Sequence, residues 1–152
     1  MGAKGDAARA LFLQGYNCAQ AVACAFADEM GLPADTVARL ACGFGGGFGR
    51  LREVCGAVSG MTLAAGMLRG YESPAATDEK KDAYALIQRL AGKYKEQNAS
   101  IVCRELLGLA KPEGTPQPEA RTPEYYKKRP CPDLVAMAAD ILEAELKQVP
   151  AP

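Results

Sequence analysis

The segment "CGFGGGFGRLREVCGAVSG", Cys42 to Gly60, packs seven glycines, two cysteines and a short cluster of charge into nineteen residues. Such a run serves as a phosphate-binding loop, as a backbone hinge, or as a site of close helix packing, and the choice decides the fold. A dinucleotide or P-loop reading needs a strand ahead of the glycines and, for the P-loop, a lysine behind them. Upstream apolar residues follow helical spacing instead, and no such lysine follows the run. The glycines therefore read as a hinge in which Gly45, Gly46 and Gly47 take positive φ and allow close backbone approach. With Arg50 they are the candidate contacts to a cofactor, and no nucleotide is expected.

Working outward from this hinge, helical periodicity extends over nearly the whole chain, with no alternating strand pattern and no Asn-Gly or Asp-Gly hairpin signal. A first helix is expected over about Asp6 to Gln14, with Ala7, Ala10 and Leu11 buried. A second runs from Cys18 to Met30 after an Asn17 cap, and a third from about Asp35 to Gly43. The helix after the hinge, about Leu51 to Arg69, is small and apolar, so neighbours should surround it; Gly56, Gly60 and Ala64 form its small-residue face, with Gly66 nearby. An amphipathic helix over about Asp78 to Glu96 should bury Tyr84, Ile87, Leu90, Ala91 and Tyr94. Ser100 can cap a short helix through "IVCRELLG". A proline-rich extended loop at about 110–130 leads to a last helix at about 132–147, in which Pro132 takes the first helical position and Cys131 the cap. These elements make an all-α, single helical domain spanning 1–152, a compact bundle of about six to seven helices around a small-residue-rich central helix.

Composition narrows the chemistry. The chain has 152 residues and zero formal net charge, which gives no footprint for a nucleic-acid partner. The least charged run, Val54 to Leu68, falls short of the ~20 residues of a membrane span. The opening "MGAKGDAARA" has no apolar core of a signal peptide, so a cytoplasmic location is expected. Histidine and tryptophan are absent. The commonest general base, the usual zinc nitrogen ligand and the proximal haem ligand are missing with the histidine. What remains is cysteine chemistry.

Six cysteines stand at 18, 24, 42, 55, 103 and 131. In a reducing compartment that count reads as metal binding or redox work. Cys18, Cys103 and Cys131 fall at or near expected helix starts and Cys55 one turn into its helix, where unsatisfied N–H groups favour a thiolate. Cys24, in mid-helix among alanines, reads as a small apolar filler, and Cys42 is open between filler and accessory thiol. No Cys-x-x-Cys pair is present, so common zinc modules do not apply and any shared site must be assembled by the fold. Arg50 or Arg52 can pair with a carboxylate or face the thiolates.

The segments "GYNCAQAV", "GFGGGFGRLREVCGAVSG", "CRELLG" and "CPDLVAMAADIL", in this order, resemble the C_GCAxxG_C_C family, described as redox-active. The resemblance maps the four signature cysteines onto Cys18, Cys55, Cys103 and Cys131 and leaves Cys24 and Cys42 outside. The family's name writes Gly-Cys-Ala-x-x-Gly where this chain reads Cys55-Gly56-Ala57-Val58-Ser59-Gly60. Likeness to part of a split-Soret type of cytochrome c implies an iron–sulfur cluster as one occupant of the four cysteines. The haem of that relative needs a Cys-x-x-Cys-His segment and does not carry over.

Three readings stay open at this point: a redox protein whose four cysteines hold an iron–sulfur cluster or form a thiol/disulfide centre, a structural zinc site on the same four ligands, and a non-catalytic helical binding or assembly module with buried cysteines. Glu53 and Glu105, each two residues from a signature cysteine, are candidate proton acceptors or surface carboxylates. No substrate is identified, so the chain is not assigned as an enzyme. Its redox partner is unidentified, and assembly as a homo-oligomer is compatible with the sequence.

Overall fold

The computed structural model describes residues 2–109 and 114–150. Positions 110–113 of the expected proline-rich loop, and the chain ends at 1 and 151–152, lie outside the described residues. Among those residues there are nine α-helices and no strand: α1 Ala3–Leu13, α2 Cys18–Cys24, α3 Ala27–Met30, α4 Ala34–Ala41, α5 Gly56–Arg69, α6 Thr77–Asn98, α7 Cys103–Leu106, α8 Pro123–Lys128 and α9 Cys131–Gln148. The all-α class holds, with more helices among the described residues than periodicity suggests.

The core forms where α1, α2, α5 and α9 meet. Phe12, Val22, Phe26, Met61, Val135 and Leu142 are almost wholly buried there, and Leu90 and Tyr94 of α6 complete it. Asp140 of α9 accepts backbone hydrogen bonds from Gly2 (3.1 Å) and Gly5 (2.8 Å), tying the start of α1 to the most extensive interface in the molecule. Helix α1 begins earlier than its apolar pattern suggests and buries Gly5, Ala8 and Phe12, a face turned by one residue from the expected Ala7, Ala10 and Leu11.

Other differences have local causes. The expected helix from Cys18 to Met30 breaks at Ala25 and Phe26, where Lys4 Nζ donates to the Ala25 carbonyl (2.8 Å) and pairs with Glu29 (2.5 Å). On α6, Tyr84 is exposed beneath Lys80, and Leu86 takes the buried place that the pattern assigns to Tyr84. The proline-rich loop holds an unexpected helix, α8, which starts at Thr122, whose hydroxyl accepts from the Tyr125 amide, followed by Pro123 at the first helical position. Cys131 is the first residue of α9, with Pro130 before it as the cap, so the helix begins one position ahead of the expectation. Ser100 accepts from the Val102 amide (2.9 Å) just ahead of α7.

The central helix is α5, and it starts at Gly56 instead of Leu51 because the hinge is longer than the glycines alone suggest. Gly46, Gly47, Phe48, Gly49 and Arg50 form a continuous run of positive φ, and Arg52 follows with φ 62°. Gly45 differs from the expectation: its φ is −61°, ordinary extended backbone. The left-handed region costs L-residues about 1–2 kcal/mol each, so Phe48, Arg50 and Arg52 store strain that their surroundings must offset. Hydrogen bonds from Gly49 N to Gly43 O and from Glu53 N to Gly47 O, both 2.9 Å, close the turn on itself.

The small face of α5 packs on α2. A side chain at Gly60 would overlap the Ala19 carbonyl, so this glycine is needed for backbone approach, and one at Gly56 would be tight, 3.1 Å from Cys18 Cβ. Gly66 faces open space, and the last turns of α5 are partly exposed, so this helix is not enclosed on every side as expected. Gly60→Ala should therefore lower stability by about 1–3 kcal/mol through overpacking, whereas Gly66→Ala should raise it by up to about 1 kcal/mol through helix propensity; urea melts of the two variants check the contrast.

Candidate functional site

The four signature cysteines all fall at helix starts. Cys18 opens α2 after Asn17, whose side chain accepts from the Gln20 amide (2.9 Å) while Gln20 Oε1 accepts from Asn17 N (3.0 Å). This reciprocal cap sets the angle at which the Cys18 side chain leaves the helix. Cys55 is the residue before α5, Cys103 opens α7 and Cys131 opens α9. Cys55 thus stands at the helix start itself, a turn earlier within its helix than the sequence suggests.

One short antiparallel bridge, Val54 with Val102, aligns two of these starts. Cys55 N donates to Ile101 O (2.7 Å) and Cys103 N to Glu53 O (2.5 Å). Because side chains alternate along extended backbone, Cys55 and Cys103 share the face opposite the two valines. Gly47 packs directly behind: a Cβ there would meet Cys103 Cβ at 2.6 Å.

Cys18, Cys55, Cys103 and Cys131 all line one cleft of about 360 Å³, together with Gly45, Gly46, Gly47 and Arg50. Cys55, Cys103 and Cys131 are buried, Cys18 is half-buried, and all six cysteines are free thiols. Exposed Cys42 also borders the cleft, whereas Cys24 lies outside it with its thiol directed at Ala34 O (3.6 Å). Neither Glu53 nor Glu105 reaches the cleft: Glu53 pairs with Arg104 (3.1 Å) and Glu105 accepts from Ser100 Oγ (2.8 Å). Of the two arginines after the glycines, Arg52 is the one at the thiols. It is buried, and its Nη1 donates to Cys103 Sγ at 3.7 Å. Arg50 holds the cleft wall, its Nη1 donating to the carbonyls of Thr115 (2.9 Å) and Gln117.

The thiols are electrostatically unequal. Cys18 and Cys131 interact as hydrogen-bonding partners, and that interaction, followed by burial, raises the Cys18 pKa well above the ordinary thiol value. The same hydrogen bond is the main cause that lowers Cys131, to about 7; burial opposes it, and Tyr125 and the charges of Arg129 and Arg52 assist. Of the two sulfurs, Cys131 is the one at which the anion is favoured. Burial pushes Cys55 up to about 11, against a hydrogen bond with Tyr94 Oη (3.4 Å) and the nearby amides of Ala57 and Val58. Burial likewise raises Cys103, against the pull of Arg52. Tyr94 is itself raised by burial and by Cys55, and Tyr125 by burial and by Cys131. Both phenols thus stay protonated and can donate to sulfur.

Tyr94 and Tyr125 are site residues that sequence reasoning does not single out, as are Arg121 and Arg129 at the edge of the cleft. The Thr122-Pro123 helix start is the available signal for Tyr125. Nothing local marks Tyr94, which reads as one more core aromatic on α6.

The chain is thus an all-α bundle that brings four free cysteines to one cleft. The chain belongs to the C_GCAxxG_C_C family, whose model, described as "Putative redox-active protein (C_GCAxxG_C_C)", matches residues 16–145. No curated protein and no solved structure matches it. Among the described residues no helix is long and apolar enough to cross a membrane.

Alkylation by iodoacetamide, followed residue by residue, should show Cys131 reactivity rising with a midpoint near pH 7, while Cys24, raised by burial, responds only at higher pH. Tyr125→Phe should move the Cys131 midpoint upward, because the lost donor stabilised the thiolate and not the thiol.

Proposed function

We propose that this chain is a thiol-based redox protein in which Cys18 and Cys131 are the working pair. The observation that supports this reading is that two free thiols, one half-buried and one buried, line one cleft whose neighbouring groups favour the anion at Cys131. A thiolate is the nucleophile in disulfide exchange, and a neighbouring thiol resolves the mixed disulfide that forms. Cys131 is accordingly the attacking sulfur and Cys18 the resolving one. Tyr125, Arg129 and Arg52 hold the negative charge at Cys131. Cys55 and Cys103, both raised in pKa, are a reserve of protonated thiols beside the pair. A cytoplasmic setting agrees with six free cysteines, since a reducing compartment keeps them so.

A second reading rests on the convergence of four cysteines in one cleft. Four thiolates without histidine are the donor set of an iron–sulfur cluster, which would supply one-electron transfer at the same place. Cys18, Cys55, Cys103 and Cys131 would hold it, and the Arg52 guanidinium would hydrogen-bond a ligand sulfur. A closed zinc site is less well supported, since among the described residues no three Cys, Asp or Glu side chains form a group that could hold a single ion.

Oxidising the reduced protein in a graded thiol–disulfide buffer and mapping the linked peptides separates these readings. The proposal expects a Cys18–Cys131 disulfide as the first to form, and Cys18→Ser should trap a mixed disulfide on Cys131. Iron and sulfide in stoichiometric amount after anaerobic purification, with visible absorption lost on Cys55→Ser, would favour the cluster instead. If neither appears and replacing Cys18 or Cys131 changes stability alone, the cysteines are structural.

A further inference from the structure

The segment 114–122 forms part of the wall of the cysteine cleft. Its Pro116, Pro118, Glu119 and Arg121 line the cleft while residues 114–120 stay exposed to solvent. It is not draped loosely. On one side Arg50 Nη1 donates to the Thr115 and Gln117 carbonyls, so the glycine hinge holds the strap by its backbone. On the other, Arg121 donates to the carbonyls of Phe12 and Tyr16 (2.7 Å to the latter) and stacks 3.8 Å above the Phe12 ring, which anchors the strap to the end of α1. Arg129, just before α9, closes a third contact with Glu119 at 2.8 Å. Two prolines at alternate positions stiffen the span between these anchors, since proline fixes φ.

Beneath the strap the sulfur of Cys131 has little outward exposure, the residue being 7% accessible. The volume left around it, about 360 Å³, is at the small end of sites that enclose low-molecular-weight ligands, roughly 300–1,000 Å³. Disulfide exchange adds a directional demand: the attacking sulfur must approach along the line of the S–S bond, so both halves of the partner disulfide occupy space directly in front of Cys131. In a folded protein those halves are two backbone segments whose Cα atoms lie only about 4.4–6.8 Å apart. A strap pinned by three arginines narrows the approach to the cleft that Cys131 lines.

We infer that the partner of this centre is a low-molecular-weight disulfide and its thiol, and that the strap 114–122 is the element that excludes folded proteins. The inference rests on the dithiol reading of Cys18 and Cys131. In the reaction, the Cys131 thiolate attacks one sulfur of a small disulfide RSSR, forming Cys131–S–S–R and releasing RS⁻. The Cys18 thiol then attacks the Cys131 sulfur, forming the Cys18–Cys131 disulfide; the second RS⁻ leaves and takes the Cys18 proton. Two electrons pass from the protein pair to the small disulfide, and the products are RS⁻ and RSH. The reverse sequence reduces the protein with two small thiols.

The test compares two probes of the same chemistry and different size, dithiodipyridine and a pyridyl disulfide carried on polyethylene glycol. Each is mixed with the full-length reduced protein carrying Cys24→Ser and Cys42→Ser, and thiopyridone release and peptide mapping follow Cys131. Dithiodipyridine should produce the Cys18–Cys131 disulfide, and the polymer-borne probe should react with Cys131 at least about tenfold more slowly. Arg50→Ala and Arg121→Ala, each checked for helical content, should narrow that gap by raising the rate of the polymer-borne probe. Equal rates for both probes in the parent protein would overturn the size restriction. A gap that persists in both folded variants would overturn the strap as its cause. Failure of dithiodipyridine to give the Cys18–Cys131 disulfide would instead overturn the dithiol reading beneath it, a result distinct from the other two.

Discussion

Everything at the cleft depends on how closely α5 lies against α2. Gly60 rests on the Ala19 backbone with no room for a side chain, and Gly56 lies beside Cys18 where a side chain would be tight. That contact places the start of α5, and hence Cys55, next to the start of α2, and hence Cys18. Gly60, within the helix, weakens it by about 1 kcal/mol relative to alanine. What offsets this is a buried, largely alanine-lined interface through Ala19, Val22, Ala57, Met61 and Ala64. The small-residue pattern is therefore a positioning device for sulfur as well as a packing motif.

The hinge before α5 does the complementary work on the other side. Its positive-φ backbone includes three residues with side chains, and two of these are arginines that serve the cleft. Arg52 reaches Cys103, and Arg50 holds the strap. A relaxed turn would aim neither. Strain at Phe48, Arg50 and Arg52 is sustained by hydrogen bonds across the hinge and by the Val54–Val102 bridge. Local strain, cleft wall and thiolate environment are thus one construction.

Much of this is legible in the residues. Helical spacing, the Asn17 cap and the Gly56/Gly60 repeat carry the all-α bundle and the packing of α5, and the four cysteines gathered at one cleft stand out by their place near helix starts and by family likeness. The glycine run reads as the hinge that it is, but glycine content says nothing of Phe48, Arg50 and Arg52 sharing its left-handed backbone, so the expected start of α5 falls too early. Periodicity misplaces Tyr84 and the face of α1 because a helix rotated by one residue keeps nearly the same apolar count. Long-range pairing is the least visible layer. The Cys18–Cys131 partnership, the Tyr94 bond to Cys55 and the strap clasped by Arg121 join residues far apart in the chain, and no local pattern encodes them.

The central claim is that Cys18 and Cys131 face one another in the reduced protein, and a bifunctional thiol reagent tests it most directly. Dibromobimane becomes fluorescent when it bridges two neighbouring thiols, and peptide mapping then identifies the bridge. The account predicts that Cys18 and Cys131 are the pair joined, with the bridge lost in either single serine variant. Bridging confined to other cysteines, or single attachment at Cys18 and Cys131 without a bridge, would contradict it.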